Sequence, residues 1–339
     1  MTATRERAEA ALLGMFIGDA LSMPVHWYYD TMALHRDYGT VRDYLAPHGQ
    51  HPTSIMDRVS YDPVNRHGEI LHGQARYYGV AHVHYHQFLK AGENTLNLKI
   101  CAELLRFLGR SDGYDRMSWL ETYAAFLRTP GNHNDTYVEE YHRHFFHNVA
   151  LGHDLDGCAV PEERNIGSLV GPLPVFLYYH GDRELAEAKG FDHLHLTNRG
   201  KMLDDAARLV FGLLGDLLET GGGGEGLRAV IRARIAAGRS DLTAHDFEGL
   251  LAKRDEAVIG PVFPISCYFE GSIPAVLHLA LKHADDPEAA LVANTNLGGE
   301  NCHRGAVLGA LLGAAHGADA FPERWRSGLL EPPVLPHRP

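Results

Sequence analysis

The chain has 339 residues, of which 45% are hydrophobic and 22% are charged, a composition typical of a globular protein with a substantial core. Its net charge of -12 argues against nucleic acid as a partner, because a phosphate backbone is bound by a basic patch. Four cysteines without CxxC spacing favour free thiols in a reducing compartment. With no signal-peptide pattern and no apolar run of membrane-spanning length, the sequence predicts a cytoplasmic protein with no membrane partner.

The first predicted helix spans residues 4–21, where apolar side chains recur at helical spacing. Gly14 and Gly18 lie four residues apart and give this helix a bare strip that another backbone could approach closely. The helix is expected to end at Gly18-Asp19-Ala20-Leu21, because Pro24 prevents its simple continuation.

The segment 30–90 is the least regular part of the chain and contains several prolines and glycines. A long irregular insertion in a compact protein is usually functional, so we interpret this segment as a loop region folded over the site. Within it, His82, His84 and His86 alternate with other residues. An extended backbone would place these three imidazoles on one face.

Helical periodicity predicts most of the remaining elements. The predicted helices are 96–108, 115–127, one with a Thr136–Glu139 capping box that ends near 148, 204–220, 227–237, 272–282 with Pro274 in its first turn, 286–293 and 305–317. Residues 165–180 should be kinked by two prolines, and 221–224 should form an exposed glycine turn. Runs in which apolar and polar residues alternate, as in β-strands, are scarce. We therefore predict one all-α domain over 1–330, followed by an extended tail over 331–339.

Glycines recur every four residues along the last predicted helix, at positions 305, 309, 313 and 317. Each glycine in a helix interior costs roughly 1 kcal/mol relative to alanine, so the stripe requires a compensating contact. Close backbone packing supplies one, and the strip at Gly14 and Gly18 is the predicted partner surface. That contact would also bring Asp19 near the turn 298–304.

The stretch Gly298-Gly299-Glu300-Asn301-Cys302-His303-Arg304 runs directly into this helix and concentrates polar groups at its start. A helix N-terminus and neighbouring cations would favour the thiolate of Cys302, the form found in reactive cysteines. A small, buried and inert cysteine is the alternative. A metal role for Cys302 with His303 alone is less favoured, because adjacent residues rarely bind one ion without further ligands.

Other candidate residues are carboxylates, imidazoles and amides beside turns. They are Asp19, Glu93, Glu300, His84, His86, Asn94, Asn134 and Asp135. The carboxylates could act as general acids and bases or bind a hard cation, although helix capping would also explain them. The histidines could be acid–base residues or ligands, or hydrogen-bonded groups in a polar loop.

Taken in order, these pieces resemble the ADP-ribosylglycohydrolase family, which includes the dinitrogenase-reductase-activating glycohydrolases and the J1 crystallins. The matching pieces are Gly18-Asp19-Ala20, Gly92-Glu93-Asn94-Thr95, Gly271-Ser272-Ile273-Pro274-Ala275, and Asn296 through Gly317. The resemblance spans nearly the whole chain and implies an all-α fold. In typical members, a Thr-Asp-Asp turn and an Asp-x-Asp-Thr turn hold two Mg²⁺ ions.

Both of these turns are altered here. The first reads Gly92-Glu93-Asn94 and the second Glu300-Asn301-Cys302-His303, so none of the four acidic positions is an aspartate. Magnesium requires hard oxygen ligands, and a thiol is a poor substitute for one. We therefore predict that the paired magnesium site is absent, with no metal ligand and no cofactor.

The substituted turns favour a metal-independent enzyme that hydrolyses a C–N or N-glycosidic bond of a small-molecule substrate. The catalytic candidates are Cys302 as nucleophile or acid, His303, His84 or His86 as base, and Glu93 and Glu300 as acid–base residues. The substrate-binding candidates are Asp19, Asn94, Asn134, Asp135, Asn301 and Gly299. An ADP-ribosyl-acceptor hydrolase with an altered metal site, a lyase or isomerase, and a crystallin-like binding protein remain alternatives. The substrate and the oligomeric state are left open.

Overall fold

The structure, a computed structural model, describes residues 2–238 and 240–338 and is built from helices. The α-helices are α1 (Ala3–Ser22), α2 (Thr31–Tyr38), α3 (Leu96–Arg110), α4 (Arg116–Arg128), α5 (Glu140–Ala150), α6 (Leu173–Tyr178), α7 (Arg183–Thr197), α8 (Lys201–Thr220), α9 (Gly223–Ala237), α10 (Phe247–Leu251), α11 (Asp255–Val258), α12 (Phe269–Lys282), α13 (Pro287–Asn296), α14 (Asn301–His316) and α15 (Glu323–Arg326). Within these described ranges, β-structure is limited to isolated bridges such as Gln50 with Val83. The predicted all-α class is confirmed.

Helices α1 and α14 form the centre of the molecule and touch through their backbones. A Cβ atom added at Gly309 would lie 2.0 Å from the carbonyl oxygen of Gly14, and one added at Gly18 would lie 2.0 Å from that of Gly305. Every residue of α14 from Asn301 to Ala315 is buried, and α8, α9, α12 and α13 surround it. The predicted contact between the two glycine strips is confirmed.

Helix α1 is more apolar than predicted from the sequence. The segment Ala3–Val25 is long and apolar enough to cross a membrane, contrary to the expectation that the chain has no such run. However, 89% of its apolar window is buried inside the protein. The core helix of a soluble protein meets the same criterion, and the burial of α1 against α14 accounts for its composition.

Several helix boundaries differ from their predicted positions. Helix α5 begins at Glu140, so Thr136 and Glu139 do not form the predicted capping box. Helix α12 begins at Phe269, before the predicted start, so Pro274 lies inside the helix and not in its first turn. Burial of the added N-terminal residues in the core stabilises this extension despite the proline. The glycine turn is shorter than predicted, since α9 already starts at Gly223.

The segment 30–90 contains α2 and short 3₁₀ turns among irregular stretches. The predicted alternation of its histidines is wrong: His84 and His86 are buried, but His82 is exposed and has a φ of 62°. That left-handed residue breaks the extended geometry on which the alternation depended. The tail from residue 331 to 338 is irregular, with Leu335 packed into the core, and Pro339 lies outside the described residues.

Candidate functional site

The start of α14 holds the candidate site, and two glycines determine how the chain reaches it. Gly298 and Gly299 have φ values of 67° and 61°, and a Cβ atom at either would collide with a backbone oxygen 2.1–2.2 Å away. Gly299 also donates its N–H to the Tyr28 carbonyl and accepts from the Trp27 N–H. These backbone bonds hold the segment that follows α1 against the turn.

Glu300 is the centre of a buried polar cluster. Its Oε1 atom lies 2.9 Å from His26 Nε2 and 2.7 Å from His303 Nδ1, and its Oε2 accepts from the Trp27 indole N–H at 2.7 Å. The carboxyl group of Glu139 reaches the same place, with Oε1 3.9 Å from His303 Nδ1. Each of these five side chains is at most 7% exposed. We refer to His26, Trp27, Glu139, Glu300 and His303 as the polar cluster.

Hydrogen bonds continue from the polar cluster in two directions. On one side, His26 Nδ1 lies 2.7 Å from His86 Nε2, and His86 Nδ1 lies 2.6 Å from Asp135 Oδ1. On the other side, His303 Nε2 lies 2.9 Å from the amide nitrogen of Asn97, whose oxygen lies 3.0 Å from His142 Nε2. The orientations of the His26 and His303 rings are therefore each set by a hydrogen-bond partner behind the ring.

Burial and mutual charge shift the pKa values within the polar cluster. Burial opposes charge on His303, but the neighbouring Glu300 carboxylate outweighs it and raises the pKa of His303 to about 9. Burial would raise the pKa of Glu300, whereas His26 and His303 hold it well below its ordinary value. Burial dominates at the other two groups, lowering the pKa of His26 to about 4 and raising that of Glu139 to about 8.

Cys302 does not have the environment predicted for a reactive thiol. Its side chain is fully buried beside Met23 and Leu89, and its thiol lies 3.6 Å from the carbonyl oxygen of Asp19. Burial raises the pKa of the Cys302 thiol well above its ordinary value, and the nearby carboxylates Asp19 and Glu300 raise it further. The expected thiolate is wrong, because desolvation outweighs the helix N-terminus and the two neighbouring cations.

The candidates Asp19, Asn94 and Asn301 brace the backbone. Asp19 accepts from the Thr95 N–H and hydroxyl and from the Asn94 amide, which ties the end of α1 to the start of α3. The Asn301 amide donates to the carbonyls of Val25 and Thr295. The hydrogen bonds of these three side chains are made with the scaffold and not with the polar cluster.

Glu93 and Asn134 lie apart from the polar cluster, beside a surface cleft. Glu93 pairs with the Lys99 ammonium at 2.5 Å, and the same ammonium donates to Asn134 Oδ1 at 3.0 Å. Of the two carboxylates assigned catalytic roles from the sequence, the structure thus brings only Glu300 into the cluster. The start of α3, which follows Glu93, is capped by a residue distant in the sequence: Asp135 accepts a hydrogen bond from the Leu96 N–H at 2.9 Å.

The two loop histidines have different surroundings. His84 lies 3.0 Å from the Pro24 carbonyl through Nε2, and its Nδ1 accepts from the His86 N–H, so both ring nitrogens hold backbone. His86 instead connects Asp135 to His26. The loop therefore contributes one imidazole to the hydrogen-bond chain, and the other positions it.

Sequence reasoning missed His26, Trp27, Asn97 and Glu139. His26 and Trp27 lie five and six residues after the predicted end of α1, and their polar and aromatic side chains close to Pro24 were an available local signal. Asn97 is the one amide in the apolar start of α3, which was also visible. Glu139 was assigned to a cap, and only the fold brings it near His303.

The donor set at the start of α14 does not fit paired magnesium. Cys302 offers a sulfur that lies 3.6 Å from the carbonyl oxygen of Asp19. The amide nitrogen of Asn301 donates to two backbone carbonyls, whereas its oxygen is buried without a hydrogen-bond partner among the described residues. Among the His, Cys, Asp and Glu side chains of the described residues, the ligand atoms that converge here belong to His26, Glu300 and His303, which are two imidazoles and one carboxylate. Mg²⁺ prefers an octahedral shell of oxygen ligands, so this combination is unsuited to it.

Comparison with known families and structures agrees with this arrangement of helices. A family model described as ADP-ribosylglycohydrolase matches residues 1–337. The chain belongs to the ADP-ribosylglycohydrolase family. One solved structure, titled "ADP-ribosylglycohydrolase-related protein complex", is similar at 20% identity with a TM-score of 0.62, over 97% of this chain and 94% of that one. At that identity the likeness shows the shared fold alone. Comparison with curated proteins finds no significant match.

Membership in the ADP-ribosylglycohydrolase family also confirms the resemblance deduced from the turns. The polar cluster includes Glu300 and His303 of the turn on which that resemblance was based. The scaffold of this chain is therefore that of the family.

Proposed function

We propose that this family member hydrolyses a C–N or N-glycosidic bond of a small molecule without the paired magnesium ions. The observation that carries the proposal is the pair of buried carboxyl groups of Glu139 and Glu300, which both approach His303 Nδ1, at 3.9 and 2.7 Å. Family membership supports a hydrolase of the glycohydrolase type. We do not assign Cys302 as the nucleophile, because its thiol is buried and burial raises its pKa well above the ordinary value.

Two carboxyl groups can divide the proton transfers that this hydrolysis requires. One group removes a proton from water as its oxygen bonds to the anomeric carbon, and one protonates the nitrogen as the C–N bond breaks. We assign the acid–base role to Glu139, because its side chain is slightly more exposed than that of Glu300. The amide nitrogen of Asn165 donates to Glu139 Oε2 at 3.4 Å. Glu300 and His303 orient the reacting groups and stabilise charge.

The test is turnover of a panel of N-glycosides, including nucleosides and ADP-ribosylated acceptors, with matched carboxylate variants. Glu139→Gln should lower kcat by about 100-fold or more, because the amide cannot exchange a proton. Glu93→Gln, which changes a carboxylate outside the polar cluster, should keep kcat, and Cys302→Ala should keep it in the folded fraction. Full activity in Glu139→Gln would contradict the assignment.

A specific observation favours a second candidate, in which an ADP-ribosyl acceptor is hydrolysed with an altered metal site. His26, Glu300 and His303 direct three possible ligand atoms to within 4.8 Å of one another. Turnover by protein shown to be free of metal, in the presence of a chelator, supports the metal-independent reaction that we predict from the sequence. Loss of turnover in chelator, restored by one added ion, supports the second candidate.

A further inference from the structure

We propose that the buried chain from Asp135 through His86 and His26 to Glu300 is a proton relay, in which Asp135 and His86 are positioning residues. Its contacts are 2.6 Å between Asp135 Oδ1 and His86 Nδ1, 2.7 Å between His86 Nε2 and His26 Nδ1, and 2.9 Å between His26 Nε2 and Glu300 Oε1. Each of these side chains is at most 3% exposed. The effect of the relay on catalysis rests on the proposed function, whereas its hydrogen positions can be measured without a substrate.

Asp135 sets the direction of the first hydrogen bond in the relay. Its Oδ2 atom accepts from the Leu96 N–H at 2.9 Å. Burial would raise the pKa of Asp135, but the neighbouring His86 and Lys99 hold it below its ordinary value, so the side chain is a carboxylate. A carboxylate only accepts hydrogen bonds, and His86 must therefore donate to Oδ1 through its Nδ1–H.

The relay needs one proton more than its neutral rings contain. Its three contacts between polar atoms require three bridging hydrogens, but two neutral imidazoles supply one N–H each and a carboxylate supplies none. Without a third hydrogen, two buried lone pairs would face each other, and such unsatisfied groups are strongly disfavoured. A third proton therefore belongs to the chain between Asp135 and Glu300.

This third proton can move along the relay while both rings keep their positions. When His86 carries it, His86 donates through Nε2–H to His26 Nδ1, and His26 donates through Nε2–H to the Glu300 carboxylate. Transfer of the His86 Nε2 proton to His26 Nδ1, and of the His26 Nε2 proton to Glu300 Oε1, leaves both rings neutral and Glu300 protonated. The two arrangements contain the same number of protons.

The geometry of the two rings favours this transfer. The planes of His26 and His86 are parallel to within 1°, and their centroids are 5.0 Å apart. The N–H bonds and lone pairs of an imidazole lie in the plane of its ring, so parallel planes suit a straight hydrogen bond between the 2.7 Å pair of nitrogens.

His84 ties the backbone behind one ring to the backbone before the other. Its Nδ1 accepts from the His86 N–H at 3.0 Å, and its Nε2 lies 3.0 Å from the carbonyl oxygen of Pro24, two residues before His26. Because a carbonyl only accepts, His84 carries its hydrogen on Nε2. This tie fixes the separation of the two relay rings, and the tautomer of His84 is an internal reference for theirs.

In the proposed hydrolysis, the relay controls the charge of Glu300. A proton on Glu300 Oε1 stabilises negative charge that develops beside it, and return of that proton to His86 restores the carboxylate. Asp135 and His86 act on the reacting groups only through His26 and Glu300. The two residues predicted from the sequence to bind substrate and to act as base thus have positioning roles in this proposal.

Asp135→Asn tests the relay because it keeps the shape of the side chain and reverses the hydrogen bonds. The amide oxygen should retain the bond to the Leu96 N–H, which places the amide nitrogen and its hydrogens against His86 Nδ1. His86 must then carry its hydrogen on Nε2 and donate to His26, and His26 must donate to Glu300 from Nε2. Two neutral rings now supply every hydrogen, and the third proton is lost.

NMR of the full chain labelled with ¹⁵N-histidine shows which ring nitrogen carries hydrogen, with peaks assigned by replacing single histidines with glutamine. We expect a protonated Nδ1 on His86 in the parent and a bare Nδ1 on both His86 and His26 in Asp135→Asn. His84 should keep its hydrogen on Nε2 in both proteins. A bare Nδ1 on His86 in the parent would overturn the relay even if the variant does not fold, and so would identical ring spectra in the parent and the folded variant.

Kinetics test whether the relay serves catalysis. On any N-glycoside of the panel that the parent hydrolyses, Asp135→Asn should lower kcat about 100-fold or more with KM nearly unchanged, because a reversed tautomer impairs the chemical step more than binding. Asp204→Asn, which alters a half-exposed pair with His195, is the matched control and should leave kcat and the relay spectra unchanged. Reversed tautomers with an unchanged kcat would refute the catalytic role. If the parent hydrolyses no compound, the proposed function fails, whereas the NMR result still decides whether the relay exists.

Discussion

At the residue scale, Cys302 shows how desolvation can reverse the expected effect of a helix N-terminus. The first-turn N–H groups and the cations beside it favour a thiolate by roughly 0.3–1 kcal/mol each. Complete burial beside Met23 and Leu89 costs the charged form more than that. The same residue types at an exposed helix start would have given a reactive thiol.

Cys302 should therefore resist alkylation while the protein is folded. We expect iodoacetamide to modify Cys302 only in denaturant, whereas Cys267, the one partly exposed cysteine of the four, should be modified first under native conditions. Peptide mass spectrometry after timed labelling measures both sites in one sample. Labelling of Cys302 at a rate equal to or above that of Cys267 would contradict the complete burial of Cys302.

Arg304 is the second residue of this turn whose role is decided by burial. Its guanidinium is fully buried and donates to the side-chain and main-chain oxygens of Asn294 and to the Gly298 carbonyl. Arg304→Met should lower the free energy of unfolding by about 3 kcal/mol, because several buried acceptors lose their donors. Arg304→Lys should recover only part of the lost free energy of unfolding, because an ammonium group cannot reproduce the planar set of N–H donors of a guanidinium.

Urea denaturation measures the effect of both substitutions at Arg304. Arg254→Met, at an arginine whose side chain is 85% exposed, is the matched control and should change stability by less than about 0.5 kcal/mol. Equal effects at the two arginines would mean that the buried hydrogen bonds contribute nothing.

At the element scale, the contact between α1 and α14 allows a test in which helix propensity and packing disagree. Gly309→Ala improves the intrinsic propensity of α14 by roughly 1 kcal/mol. The added Cβ would lie 2.0 Å from the Gly14 carbonyl oxygen, so the two backbones must separate. We expect a net loss of about 2 kcal/mol or more, because overpacking in the core exceeds the gain.

Gly109→Ala in α3 is the control for Gly309→Ala. There the added Cβ would be 3.6 Å from the nearest atom of Pro336, an ordinary contact, so the propensity gain should appear as a small stabilisation. Thermal melts of both variants give the comparison. Stabilisation by both substitutions would show that α1 and α14 can separate at no cost.

The same elements explain how far the sequence could predict the fold and the site. The four-residue glycine spacing in α1 and α14 is a local pattern with one geometric meaning, so their contact was predictable. Glu300 and His303 were predictable because they share one turn. Glu139 was not, since its approach to His303 depends on how α5 packs, a relation between segments about 160 residues apart that no local pattern encodes.

At the scale of the whole molecule, the 23 histidines make stability depend on pH. Many of them are buried, and the direction of each effect depends on the surroundings of the ring. His193 is 8% exposed between Tyr114 and Trp119, and burial lowers its pKa to about 3, with the nearby Arg116 adding to the shift. His142, behind the polar cluster, has its pKa lowered to about 3 by burial as well.

Lowering the pH should therefore destabilise the protein through His193, and the sign follows from proton uptake. Below its unfolded pKa of about 6.5 the ring binds a proton in the unfolded chain, but the folded ring stays neutral until about pH 3. The unfolded state then holds more protons, and each such histidine removes up to about 1.4 kcal/mol of stability per pH unit in this window. His193→Leu should flatten the fall in the free energy of unfolding between pH 6 and 4 by about that slope, whereas His82→Ala, at an exposed ring, should leave it unchanged. Urea denaturation at several pH values measures the two slopes, and parallel curves for His193→Leu and the parent would show that His193 is protonated in the fold.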